Sequence, residues 1–179
     1  LEVLAATIIW GLTGVFVKII DTNPVVISLF RLGVPAVSLL VYYIIKRDKD
    51  AFCFNHKLTV SSILNGIGLI LYYVAFSLTS MSNVVIMFYT YPIWVILLSK
   101  FILKEKIPAK YAFFLPAAFA GIIIIFFEKD FSIASKDFFG IACSVITAVI
   151  FAIMMIITKK EQIKSNNFKI IFHQNLIGA

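Results

Sequence analysis

The sequence predicts an all-α fold, a polytopic membrane helix bundle, on three observations. Of its 179 residues 61% are hydrophobic and only 14% charged, with a mean hydropathy of +1.02. A soluble domain is roughly 45–50% apolar and about 25% charged, so water cannot solvate most of this surface and lipid must. Second, the apolar residues gather in runs about 20 long, the length of helix that crosses a bilayer core about 30 Å thick. Third, Lys and Arg sit in every other connector rather than along the runs. The net charge of +7 is therefore read as membrane sidedness, not as a nucleic-acid surface.

Six runs satisfy the length rule, each able to pair all its backbone groups within one helix. They extend approximately over Val3–Ile20, Val25–Ile45, Leu58–Leu78, Val84–Leu103, Tyr111–Phe127 and Phe138–Thr158, and a seventh starts near Phe168. The first lacks the basic start and small-x-small cleavage site of a signal peptide and is followed by five more spans. Opening at Leu1 and stopping at Ala179 inside an apolar run, the chain reads as a piece of a longer protein.

Connectors two, four and six carry twelve bases: Lys46, Arg47, Lys49 and Lys57; Lys100, Lys104, Lys106 and Lys110; Lys159, Lys160, Lys164 and Lys169. Short basic connectors resist translocation, so these face the cytoplasm, as does the N-terminus. Cys53 and Cys143 then fall on opposite sides and form no disulfide framework.

Span six laid on span one places Ile150-Phe151-Ala152-Ile153 on Ile9-Trp10-Gly11-Leu12 and Lys159 on Lys18, an offset of 141 residues. At nearly the same offset Leu29–Ala36 falls on Phe172–Ala179. A repeat of five spans, an odd number, enters the membrane upside down the second time, an arrangement of secondary transporters that bind solute near the midplane between the copies.

Certain motifs carry a likeness: Trp10-Gly11 with Lys18, Phe30-Arg31, the stretch Tyr72-Tyr73-Val74-Ala75-Phe76-Ser77-Leu78-Thr79-Ser80, then Met81-Ser82-Asn83-Val84-Val85, Tyr91-Pro92-Ile93-Trp94 and Leu103-Lys104-Glu105-Lys106. The chain resembles the EamA-type branch of the drug/metabolite transporter superfamily. That resemblance implies ten helices in two inverted five-helix repeats, with residues 1–129 as the first repeat and 130–179 as the start of the second. Departures are Ser or Thr at several positions usually filled by Ala, and the absence of helices eight to ten.

Candidate substrate-binding residues are Trp10, Arg31, Asn65, Tyr72, Tyr91 and Trp94. Asn65, Leu69, Tyr72 and Phe76 form one helical stripe, and Asn83, Met87, Thr90, Tyr91 and Trp94 another, suited to a solute with aromatic faces and a few hydrogen bonds. Interface anchoring and helix gluing are the plainer readings for Trp10 and Asn83. Arg31, about 10 Å inside its span, is an expensive residue that should face protein or water and could receive an anion; snorkelling toward headgroups or Asp21 is the alternative.

Pro92 removes a backbone donor within span four and should kink it. Glu105 is expected to do structural or gating work, pairing with bases on the cytoplasmic rim. The acids are all peripheral, and no span core offers a carboxylate proton carrier. On span six Gly140, Ser144, Ala148 and Ala152 recur every four residues and predict close packing beside the central pathway.

Enzyme signatures are absent, and no cofactor or metal is expected. The function expected is transport of a small metabolite or amphipathic solute by alternating access, in the plasma (inner) membrane. The alternative is a non-transporting receptor or assembly subunit with a sealed interior. Expected partners are the lipid bilayer and a small-molecule substrate, not nucleic acid, with a homodimer left open.

Overall fold

A computed structural model of the chain describes residues 17, 19–20, 22–47, 52, 55–103, 116–117, 120–121, 136–162 and 166–179. Six helices are bounded within them: α1 (Pro24–Lys46), α2 (His56–Leu78), α3 (Met81–Phe88), α4 (Tyr91–Ile102), α5 (Lys136–Gln162) and α6 (Asn167–Gly178). The described residues form no strand. Helices α1, α2 and α5, and α3 with α4 taken together, are long and apolar enough to cross a membrane. The spans expected at 3–20 and 111–127 lie largely outside the described residues, as do Trp10, Lys18 and Glu105.

Helix starts follow local chemistry. Asn23, Asn55 and Asn166 each accept a hydrogen bond from the backbone N–H two residues on, at 2.9, 3.1 and 3.2 Å, satisfying a donor that the first turn leaves open. Pro24 follows its cap at a position where a missing N–H costs nothing. Arg47 ends α1 in the left-handed region at φ 54°.

Span four is two helices rather than one kinked rod. Pro92 has no N–H to return to the Phe88 carbonyl, and the chain breaks at Tyr89–Thr90. Thr90 closes the break, its hydroxyl donating to the Met87 carbonyl at 2.7 Å. Pro35 likewise sits within α1 and cannot return a backbone bond to Arg31.

Small residues make α2 the centre of the bundle. Ser61, Ser62, Gly66, Gly68 and Ala75 are buried along it, and α5 lies antiparallel against it. A Cβ on Gly140 would come within 2.7 Å of Thr79 Cγ2, and one on Gly68 within 3.2 Å of Ile150 Cγ2. The expected stripe on α5 is buried throughout, at Gly140, Ser144, Ala148 and Ala152. Helix α6 runs parallel to α2, and Gly66 meets the Gly178 carbonyl so closely that no side chain fits between them. The α1 stripe of Ser28, Leu32, Ala36 and Tyr43 faces inward, whereas Phe30, Val34, Val37, Ile44 and Ile45 are exposed, a surface for lipid.

Bases collect at one end of the bundle. There Lys57 Nζ lies 3.8 Å from Glu161 Oε1, Lys160 Nζ donates to the Ile102 carbonyl at 3.2 Å, and the rings of Tyr42 and Phe168 are 6.4 Å apart. Glu161 corrects the expectation that every acid is peripheral. Although it lies near a helix end, its side chain is only 2% exposed, because α5 continues past Thr158 and turns it toward the start of α2.

Candidate functional site

Where large side chains follow the small ones, α1, α2, α5 and α6 do not close on each other. Between them, with Phe88 on one side, lies a cavity of about 430 Å³, a size that accepts a small organic solute. Leu32, Pro35, Leu64, Leu69, Ile150, Phe151, Met154 and Ile171 supply its apolar wall. Its polar groups are Arg31, Asn65, Tyr72, Thr147 and Asn175, with Gly68 between them.

Arg31 is held from α2. Its Nη1 donates to Tyr73 Oη at 2.7 Å, and its guanidinium carbon is 5.9 Å from the centre of that ring. Tyr73 is 1% exposed, so a buried phenol orients the cation against the cavity wall, an arrangement that membrane depth demands of a charge. Five N–H donors in a planar fork suit it to a carboxylate or phosphate.

One side of the cavity is aromatic. The Tyr72 and Phe88 ring centres are 4.9 Å apart, Phe88 and Phe151 5.3 Å. Tyr91 stands one ring behind, 5.6 Å from Phe88 and 5.1 Å from Phe151. Trp94 is placed elsewhere: its indole N–H donates to Thr90 Oγ1 at 3.2 Å, stiffening the α3–α4 break without lining the cavity. Asn83 is likewise a packing residue, donating to Thr79 Oγ1 at 2.9 Å. Arg31, Asn65 and Tyr72 thus share one cavity; Tyr91 supports its wall, and Trp94 does not reach it.

Phe151, Thr147 and Asn175 line the cavity but were not singled out from the sequence. The repeat superposition paired Phe151 with Trp10, which is the signal that could have found it. Asn175 follows no motif, and its role appears only because α6 crosses α2 at Gly66.

A polar layer separates the cavity from the basic end. Asn65 Nδ2 donates to the Gln174 carbonyl at 3.3 Å. The Gln174 amide in turn donates to Ser61 Oγ at 3.1 Å and Thr158 Oγ1 at 3.0 Å, and those hydroxyls are 3.1 Å apart. Beyond them Asn55 Nδ2 donates to Glu161 Oε2 at 2.7 Å. The carboxylate sits at the N-terminus of α2, where the helix dipole favours a negative charge.

Membrane-length helices around a partly polar cavity define an integral membrane protein built like a solute carrier. The chain belongs to the EamA-like transporter family, whose model matches residues 1–127. It is 30% identical over 168 residues, 90% of the chain, to a Bacillus subtilis (strain 168) protein named "Uncharacterized transporter YoaV", and spans 57% of that relative's length. No solved structure matches the chain. Family and relative point to a transporter rather than an enzyme.

Proposed function

We propose that the protein moves a small amphipathic solute bearing an anionic group across the plasma (inner) membrane, by alternating access between two inverted repeats, with its N-terminus cytoplasmic. The observation that carries this reading is Arg31, oriented by Tyr73 on the wall of a cavity with an otherwise largely apolar lining. A guanidinium at membrane depth is costly, and a recurrent use for it is to meet a charge that enters from water. Arg31, Asn65 and Tyr72 would contact the solute, Tyr91 would back the aromatic wall, and Pro92 would lend compliance to the break beside Phe88.

The cavity draws residues from α1, α2 and α3, within the expected first repeat, and from α5 and α6, within the expected second. That division favours rocking of one group against the other, which would expose the same residues to each side in turn. The sealed interior expected of a receptor or assembly subunit is not what surrounds Asn65 and Tyr72, so a cavity that takes both into its wall favours a carrier.

The test is uptake of labelled phenylacetate, and of neutral phenylacetamide as its control, into proteoliposomes carrying the full-length protein. A hydrogen bond to a charged group contributes about 1.5–3 kcal/mol, so Arg31→Ala should lower phenylacetate uptake about tenfold or more and leave phenylacetamide little changed. Equal uptake of phenylacetate by variant and parent removes Arg31 from the site.

A further inference from the structure

The outer surface of α1 changes character at its basic end. Val34, Val37, Val41 and Ile45 are exposed and recur at helical spacing, one apolar stripe along the outside of the bundle. Tyr42 and Lys46, four residues apart and so on one face, lie beside that stripe on the shoulder turned to α6. The Tyr42 ring is 6.4 Å from that of Phe168, with 30° between their planes, and both rings are exposed. The Lys46 ammonium is drawn back over Tyr42: Nζ donates to Oη at 3.2 Å and stands 5.4 Å from the ring centre. Arg47, also exposed, adds a second cation one residue on.

Tyr rings and basic side chains at the end of a membrane-spanning helix mark the level of the lipid headgroups. At that level α1 sets two cations at the head of an apolar stripe. The surrounding field has the same sign: connectors two, four and six hold twelve bases against Asp48, Asp50, Glu105 and Glu161, a surplus of eight positive charges. A soluble anion would meet the cations and leave the stripe unused. A neutral lipid would cover the stripe and gain nothing from the cations. A lipid with an anionic head uses both.

From this we infer that the seam between α1 and α6 at the basic end is a docking site for a phospholipid whose head carries net negative charge. The phosphate lies against the Lys46 and Arg47 charges at the level of the Tyr42 and Phe168 rings, and an acyl chain runs down α1 over Val41 and Val37. The site is separate from the cavity and does not depend on what the cavity carries.

Native mass spectrometry tests it, on the full-length protein in neutral detergent titrated with phosphatidylglycerol, which is anionic, or with phosphatidylcholine of the same chains, which has no net charge. One base beside an anionic headgroup changes affinity about fivefold, so phosphatidylglycerol should bind about fivefold or more tighter than phosphatidylcholine. Lys46→Gln with Arg47→Gln should bring that ratio to about one. Lys100→Gln with Lys159→Gln removes the same charge from the same end, but from α4 and α5, and should leave the ratio within about twofold of the parent's. All four side chains are exposed, so a thermal melt should show both variants folded. Equal affinity of the parent for the two lipids, as when the rest of the full-length chain covers the seam, overturns the site. An equal loss in both variants overturns it in favour of a general attraction to the basic end. Displacement of phosphatidylglycerol by a large excess of glycerol 3-phosphate overturns the lipid as occupant, because a free phosphate ester would then suffice.

Discussion

The two ends of the contact between α2 and α5 hold by different chemistry. At the Thr79 end the helices meet through shape: Gly140 faces Thr79 and Leu78 with no room for a side chain, and Ser144 spends its hydroxyl on the Val84 carbonyl at 2.7 Å. At the basic end they meet through the Ser61, Thr158 and Gln174 side chains and the Asn55–Glu161 bond. Water has no substitute for the first kind of contact and a ready one for the second, since exchanging a side-chain hydrogen bond for one to water changes free energy by only about 1 kcal/mol. Under the alternating-access proposal the Thr79 end is then the pivot and the Glu161 end the part that opens.

The largest effect should come from breaking the pivot. Gly140→Leu places four extra carbons where one is already too many, and overpacking of this kind costs about 1–3 kcal/mol or more. A marked fall in the melting temperature of the purified protein, with loss of a monodisperse elution peak, is the expected outcome; an unchanged melt would mean that the helices are not held by shape there.

A smaller effect, of a different kind, is expected at the opening end. Glu161→Leu removes the acceptor for Asn55 and should loosen the basic end by about 1–2 kcal/mol. In a protein with Cys53 and Cys143 replaced, a cysteine introduced by Ser61→Cys should then react several-fold faster with a membrane-impermeant thiol reagent. Glu161→Gln keeps the bond to Asn55 and loses only the pairing with Lys57, which is 60% exposed; exposed pairs contribute little, so this variant should label close to the parent rate. Equal labelling in all three backgrounds would dissolve the distinction between the two ends.

Asn83→Ala sharpens the comparison with the least disturbance. It deletes the 2.9 Å bond to Thr79 beside the pivot, where about 1 kcal/mol of stability is at stake. The melting temperature should drop slightly, and labelling at position 61 should not move, because the basic end is untouched.

Much of this architecture could be read from the chain itself. Helices α1 and α2 begin and end within about two residues of the spans expected for them, since an apolar run of membrane length is a local signal. The Phe88–Tyr91 break was half legible: Pro92 marked it, but whether a helix bends or divides depends on partners such as Thr90, whose hydroxyl takes over the Met87 carbonyl. At the site, Arg31, Asn65 and Tyr72 were legible because polar groups are conspicuous in apolar helices. Trp94 has the same composition signal and the opposite outcome, since an indole N–H is satisfied as well by a threonine one turn away as by a solute. Glu161 was misread because nearness to a helix end says nothing about which way the side chain turns.

Local composition was enough to establish the crossing helices, the collection of bases at one end and the cost of Arg31, because lipid imposes its demands residue by residue on each span. Which faces meet is a matter of rotation and register between segments far apart in the chain, and composition does not encode that. Folding alone brings Gly66 to Gly178, Glu161 to Asn55, and Asn175 to the same cavity as Arg31, for two helices can slide or turn against each other without changing how well either one suits the membrane.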